Sequence, residues 1–283
     1  MSAQDDAPVT PAAPTAGALA RVLRFDVITL FPELFAPFME AGVARRAYAS
    51  GQINLKLWNP RDCAEGNYRR VDDRPFGGGP GMVMLAEPLA RCLRAVRDDR
   101  ADAPGRAAPV VLFSPTGAVL NHSAVERWSA GEGAILICGR YEGIDQRFID
   151  AHVDAQISLG DFVLSGGEIA ALALLDAVAR LQPGVLNDEG SHQADSFNPA
   201  VDGLLDCPHY TRPEEWAGQR VPAELLSGHH AQIERWRREQ RLALTARLRP
   251  ALVEAARRAG SLTARDETFL SDLGAQRLPQ KGS

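Results

Sequence analysis

Ser158-Leu-Gly-Asp-Phe-Val-Leu-Ser-Gly-Gly-Glu168 runs directly into the apolar stretch Ile169-Ala-Ala-Leu-Ala-Leu-Leu175. The order reads as a buried strand over 153–159 reaching Gly160, a short half-apolar loop, and a helix opened by Gly166 and Gly167. Paired glycines at a helix start let the backbone approach a ligand closely, and the free N–H groups of the first turn supply donors. The same residues also suit a tight turn that only packs a helix onto a sheet. Two similar stretches upstream weigh towards a site. Val110-Val-Leu-Phe113 runs into Ser114-Pro-Thr-Gly117, and Ala134-Ile-Leu-Ile-Cys138 ends in Gly139-Arg-Tyr-Glu-Gly-Ile-Asp145.

Short, wholly apolar strands separated by helices predict an α/β fold with a parallel sheet covered on both faces. Ligands then collect beyond the carboxyl ends of the strands, and three glycine-bearing loops ending there suit a nucleotide-sized ligand. Outward from this centre, 25–31 and 53–58 read as strands, 33–49 carries helical periodicity, and a helix spans about 87–97 with Leu89, Cys92, Leu93 and Val96 on one face. Ser123 and Glu126 have capping-box spacing. The polar loop from Arg61 becomes Pro75-Phe-Gly-Gly-Gly-Pro-Gly-Met82, whose length and glycine content point to function. A Walker loop is excluded, because no Gly-Lys-Ser/Thr follows the glycines.

Beyond Leu175 the helix stays apolar nearly all round until Arg180, so it is expected to be buried against a partner subunit, and Pro183-Gly184 stops it. Residues 186–201 read as a linker, and 202–273 as a second, helical unit in which Ile233, Trp236, Ala243, Leu244 and Leu248 share a stripe and Thr211 to Glu214 has cap spacing. Between Ala231 and Arg258, eight arginines against three glutamates give net +5, within a chain of net −5. Such an asymmetry is either a solvated helix face or an RNA-backbone footprint.

At 283 residues, 45% hydrophobic and 24% charged, the chain can bury a sizeable core. Its net negative charge excludes a global pull towards nucleic acid, so any basic surface is local. Cys63, Cys92, Cys138 and Cys207 show neither pairing nor metal-ligand spacing, which predicts free thiols in a reducing compartment. No apolar run is long enough to span a membrane. Residues 1–23 are Ala/Pro-rich and lack a basic start and apolar h-region, so they read as a disordered tail rather than a signal peptide, with a second tail over 274–283. The protein is expected to be cytoplasmic.

Five ordered stretches carry a resemblance: Asp72-Asp-Arg-Pro-Phe-Gly-Gly-Gly-Pro-Gly-Met82, Cys138-Gly-Arg-Tyr-Glu-Gly-Ile-Asp145, Leu159 to Glu168, Asp202-Gly-Leu-Leu-Asp-Cys-Pro-His-Tyr-Thr-Arg-Pro213 and Leu226-Ser-Gly-His-His-Ala231. Over residues 24–270 the chain closely resembles the bacterial tRNA (guanine-N1)-methyltransferase family, TrmD. The resemblance implies a SPOUT catalytic domain over 24–185, an α/β parallel-sheet fold with a deep trefoil knot, followed by a small all-helical tRNA-binding domain over 202–273. It implies a homodimer with each active site built across the interface. It also implies S-adenosylmethionine as methyl donor, and the guanosine at position 37 of tRNA as acceptor.

The implied site follows residue by residue. Asp195 matches the base that deprotonates guanine N1, and Arg180 the cation that answers charge at O6, the two meeting from different subunits. Asn198-Pro-Ala-Val201 separates Asp195-Ser-Phe197 from Asp202-Gly-Leu-Leu205, which leaves Asp202 as a rival base; the Ser-Phe context favours Asp195. Donor contacts are expected from Ser114, Pro115, Gly139, Tyr141, Glu142, Ile157, Gly160, Leu164, Gly166 and Gly167. Glu142 would face the sulfonium or help to hold a divalent cation such as Mg2+. RNA contacts are expected from Asp72, Arg74, Gly79, Asp206 and His209. Phe162 stands where the family commonly has tyrosine. The competing readings are another SPOUT RNA methyltransferase and a non-catalytic RNA-binding module.

Overall fold

The computed structural model describes residues 21–101, 108–187 and 192–277. The expected tails lie outside them up to residue 20 and beyond residue 277, as does part of the expected linker. By their contacts the described residues fall into two units, one within Met1–Ala41, Arg45–Ala118 and Ala130–Leu172, the other within Gly42–Ala44, Val119–Ser129 and Ala173–Ser283.

The first unit is built on a five-stranded sheet: β1 (Leu23–Ile28), β2 (Ile53–Trp58), β3 (Val110–Val119), β4 (Gly133–Ile137) and β5 (Ala155–Ser158), in the order β2-β1-β4-β3-β5. β1 runs parallel to β2, with Leu23 opposite Ile53, and parallel to β4, with Arg24 opposite Gly133. β3 runs parallel to β4, with Val110 opposite Ile135. The expected parallel α/β sheet is therefore present. β4 is buried along its whole length, as a strand covered on both faces must be.

Helix α1 (Ala86–Arg100) lays Leu89, Cys92, Leu93 and Val96 into a core with Ile28, Val110, Ile135, Ile137 and Phe148. Each such side chain contributes about 1.5–3 kcal/mol of burial free energy. Asp26, fully buried in β1, accepts hydrogen bonds from Arg24 Nε (3.0 Å), Arg100 Nε (2.6 Å) and Trp58 Nε1 (2.8 Å). A carboxylate out of water requires such partners, and here they tie β1, β2 and α1 together.

Several local expectations are corrected. The helical periodicity over 33–49 breaks into a 3-10 turn, Pro32–Leu34, and two short helices, Ala36–Glu40 and Arg45–Ala49, because Gly42 takes φ +68° between them. Ser114 to Gly117 is no loop but the outer half of β3. Gly117 lies so close to the backbone of Gln156 and Ile157 that a Cβ would stand 2.5 Å from it, so glycine lets β5 approach. Helix α2 (His122–Ser129) is capped by Asn121, whose Oδ1 accepts from the Ala124 amide (2.9 Å), while Ser123 receives Arg127. Helix α3 (Gln146–His152) then leads towards β5, with Asp145 as its cap.

Helix α4 (Glu168–Arg180) follows the Gly166-Gly167 pair as expected, with Ala171, Leu174, Leu175, Val178 and Ala179 fully buried. In the second unit α5 (His230–Leu248), α6 (Pro250–Arg258) and α7 (Ala264–Arg277) enclose Leu204, Leu242, Val253 and Ala256. The expected stripe is displaced: Leu242 and Thr245 are the buried positions of α5, and Leu248 is exposed. Thr245 tolerates burial because its hydroxyl donates to Arg241 O (2.6 Å) and accepts from the Leu205 amide (3.0 Å). Thr211 to Glu214 starts no helix; a two-strand hairpin, Glu215–Trp216 with Gln219–Arg220, follows it. No described helix is long and apolar enough to cross a membrane.

Candidate active site

The carboxyl-end residues of the sheet enclose a cleft of about 480 Å³ within the first unit. Its walls come from the outer half of β3, from the turn after β4 and from the loop after β5. Nine of the ten expected donor contacts line it: Ser114, Pro115, Gly139, Tyr141, Glu142, Ile157, Leu164, Gly166 and Gly167. Gly160 does not, although its neighbours Ser158, Leu159 and Phe162 do. The sheet brings these distant segments together because the β4 and β5 ends flank β3.

The glycine pair has a different physical reason from the one its sequence invites. A Cβ on Gly167 would stand 2.8 Å from Cys138 Cα, and one on Gly166 would overlap the Arg140 side chain and stand 2.5 Å from Glu168 Oε2. Both glycines make room for protein, which lets the loop after β5 lie flat on the turn after β4. The Gly167 amide donates to Gly139 O (3.0 Å), and Arg140 bridges antiparallel to Gly166. That wall of the cleft is therefore backbone, while Ile149, Ile157 and Leu164 supply apolar side chains. Backbone polar groups beside apolar faces suit the edge and faces of a purine. On β3, Thr116 Oγ1 donates to Gln156 Oε1 (2.8 Å), a wall contact that sequence reasoning does not provide.

Tyr141 adopts φ +61°, the left-handed region in which a bulky residue is a genuine outlier. It stays there because the turn is held from outside. The Glu142 amide donates to Met82 O (3.0 Å), the Met84 amide to Gly143 O (2.9 Å) and the Asp145 amide to Met84 O (3.0 Å). Gly81 leaves no space for a Cβ against the Glu142 side chain. The glycine-rich loop thus closes through a short ladder, Asp72–Asp73 with Val83–Met84, and docks on the turn after β4. Partial burial, then the Asp72 charge, push the Tyr141 phenol upward against the opposing charge of Arg61, so it remains neutral. Arg74 and Gly79 lie exposed on this loop.

Arg180, the last residue of α4, meets Asp195 within one chain: Nη2 donates to Oδ2 at 2.6 Å, and both side chains are about 40% exposed, at 40% and 42%. The 3-10 turn His192–Ala194 delivers Asp195 to the end of its own α4. Asp202 is engaged elsewhere. It sits at φ +57° and accepts from Arg238 Nη1 (2.6 Å), which also holds Asp266 (3.0 Å). Asp206 receives the Cys207 amide (2.7 Å), His209 Nε2 (2.9 Å) and Arg241 Nε (3.3 Å). Burial works to raise its carboxyl, but these donors outweigh it and hold it below the usual range.

The basic segment is partly neutralised: Arg237, Arg238, Arg241 and Arg257 have carboxylate partners. Among the described residues Arg235, Arg247 and Arg258 have no ion pair; Arg249 lies over the Phe197 ring at 5.7 Å. Among the described residues, no group of three or more His, Cys, Asp or Glu could hold a metal ion. Glu142 is one exposed carboxylate, a poor fit to a resident cation. Two site residues escape sequence reasoning altogether. Arg140 and Glu168 stand inside the quoted motifs but receive no role there, although a glutamate opening an apolar helix is a buried acid that needs a cation.

A parallel sheet with a nucleoside-sized cleft at its carboxyl ends places the protein among α/β enzymes that bind a nucleoside-bearing substrate. The family described as tRNA (Guanine-1)-methyltransferase TrmD matches over residues 23–255, and the chain belongs to that family. The tRNA (guanine-N(1)-)-methyltransferases of Paracidovorax citrulli and a Polaromonas species are each 74% identical over 251 residues, spanning 89% of this chain and 98% and 97% of those proteins. That of Bordetella parapertussis is 57% identical over 255 residues, spanning 90% of this chain and 99% of the relative.

Proposed function

We propose that the protein methylates N1 of the guanosine at position 37 of tRNA, with S-adenosylmethionine as donor. The supporting observation is the Arg180–Asp195 pair (2.6 Å), held in the same family framework as a cleft with a backbone wall. S-adenosylmethionine supplies an electrophilic methyl on a sulfonium. The cleft fits its adenosyl part: Gly139, Gly166 and Gly167 bring main chain to its surface without side chains, Ile157 and Leu164 supply apolar faces, and Glu142 a carboxylate for the positive sulfur, with Ser114, Pro115 and Tyr141 completing the wall.

Guanine N1 carries a proton and is a far weaker acid than a carboxylic acid. Each pKa unit of mismatch adds about 1.4 kcal/mol to the transfer, so a carboxylate base needs help. Asp195 takes the N1 proton while Arg180 donates to O6, where the negative charge develops. The nitrogen so freed is the nucleophile. The pair is preassembled, so Arg180 has only to turn its remaining N–H groups to O6. Asp202, the rival base, is bound to Arg238 rather than to Arg180, which favours Asp195.

The reading extends to a cytoplasmic homodimer in which the Arg180–Asp195 pair of one protomer serves the cleft of its partner. It includes a SPOUT knot formed by the loops after β4 and β5. It further assigns a tRNA-gripping role to the helices beyond residue 202, with Asp72, Arg74, Gly79 and His209 touching RNA and Asp206 orienting His209. The test uses unmodified tRNA transcripts with methyl-labelled S-adenosylmethionine. Label enters a transcript with G at position 37 and not one with A there; a G transcript without label overturns the reading.

A further inference from the structure

Glu168 is 1% exposed at the first turn of α4 and is not a wall residue of the cleft. Thr29 Oγ1, just past β1, donates to its Oε1 at 2.9 Å. Arg140 Nε also donates to Oε1 (3.1 Å) and lies 3.0 Å from Oε2. The same guanidinium reaches across the cleft wall, Nη1 donating to Ser165 O at 3.2 Å. It stacks over the Phe31 ring at 4.3 Å, and the Phe31 amide in turn donates to Thr29 Oγ1 (3.0 Å). One arginine thus joins the turn after β4, the loop after β5, the start of α4 and the end of β1.

A buried ion pair is a weak stabiliser, since the loss of hydration roughly offsets the attraction. Glu168 already benefits from the N-terminal end of its helix, which favours an acid without any arginine. What Arg140 adds is geometry. Its planar fork fixes two directions at once, Glu168 through Nε and Ser165 through Nη1, as an ammonium cannot. The two segments it spaces, Gly139 to Tyr141 and Ser165 to Gly167, both line the cleft. A Cβ at Gly166 would displace Arg140, so the sequence keeps space open for the arginine itself.

We propose that Glu168 and Arg140, with Thr29, form a positioning clamp that sets the spacing of the two donor-binding loops and thereby the affinity for S-adenosylmethionine. The clamp rests on the cleft being the donor site, and it takes no part in the proton transfer. Its chemistry is a fixed charge-assisted bridge between two chain segments that line the cleft.

The test is calorimetric titration of S-adenosylmethionine into the full-length chain, alongside Glu168→Gln, Arg140→Lys, their double variant and the milder Thr29→Val. Each folded single variant weakens donor binding by about tenfold, the low end of what a charge-assisted hydrogen bond contributes. The double variant is no weaker than the worse single, because the two residues act as one unit. In steady-state assays Glu168→Gln and Thr29→Val raise KM for the donor by a similar factor and leave kcat at saturating donor within about threefold, the signature of lost uniform binding. Unchanged donor affinity in folded variants, additive losses in the double, or a fall in kcat at unchanged KM overturns the clamp. A wild-type chain that binds no donor overturns the reading of the cleft instead.

Discussion

Arg180 and Asp195 are joined by a 2.6 Å ion pair at the C-terminal end of α4. An arginine bound to a carboxylate through one nitrogen holds that carboxylate in a fixed direction and keeps its own remaining donors free for an acceptor. Asp195→Ala is expected to lower kcat by at least about a hundredfold, the usual range for a lost general base, with donor titration unchanged. Arg180→Ala is expected to cost about 10²–10³ in kcat. Near-normal turnover by Asp195→Ala in a methyl-transfer assay removes it as the base.

Asp202 supplies the contrast. Asparagine accepts the left-handed backbone at this position, so Asp202→Asn isolates the loss of charge opposite Arg238. Stability is expected to fall by about 1 kcal/mol, read by thermal denaturation, with kcat within about threefold of wild type. A hundredfold loss of kcat would instead restore Asp202 as the base.

Asp266 gives a pH signature. It closes a reciprocal cap with Thr263, accepting the Thr263 amide (2.8 Å) while Thr263 Oγ1 receives the Asp266 amide (3.2 Å), and it holds Arg238. Burial works against its charge, but Arg238 and Thr263 prevail and hold the carboxyl below its ordinary value. A depressed carboxylate contributes stability that is complete above its unfolded pKa and lost as the pH falls through the folded one. Asp266→Asn should therefore cost about 2 kcal/mol at neutral pH. The gap between variant and wild type should narrow below about pH 4. A gap that persists undiminished at pH 2–3 contradicts the attribution.

Removal of Asp26 leaves Arg24 and Arg100 facing each other without their shared anion. Asp26→Ala should destabilise the chain by about 3 kcal/mol or more, measured by urea denaturation. A loss under about 1 kcal/mol would show that water reaches the site.

Gly167→Ala forces a methyl against Cys138 Cα. The expected cost is about 1–3 kcal/mol, the range for overpacking, accompanied by weaker donor binding in whatever folds. Unchanged stability and donor affinity would mean that α4 shifts freely.

The parallel sheet was legible because apolar runs such as Ala134-Ile-Leu-Ile-Cys138 admit little else once helical segments separate them. Most of the cleft was legible for the same reason, since ligand loops follow strand ends. The division of Ser114 to Gly117 was not: a Ser-Pro-Thr-Gly run has the composition of a turn, and only the closeness of β5 at Gly117 makes it a strand. The stripe on α5 misled because apolar periodicity cannot foresee a buried threonine satisfied by its own helix and by Leu205. The roles of Arg140 and Glu168 were hidden because residues 28 positions apart meet only once the loop after β5 has packed on the turn after β4. The partial cancellation of the basic segment depended likewise on Asp202, Asp206, Asp266 and Glu267 arriving from other parts of the chain.

The close seating of Gly166 and Gly167 has a consequence for inhibitors that occupy the cleft. Neither position has space for a side chain, so mutation cannot readily raise a bulky group there to expel a compound. Escape would have to arise from side chains on the other walls, such as Thr116, Gln156 or Phe162. A compound that packs against the glycine pair, and leaves those side chains alone, would face the part of the protein least able to change.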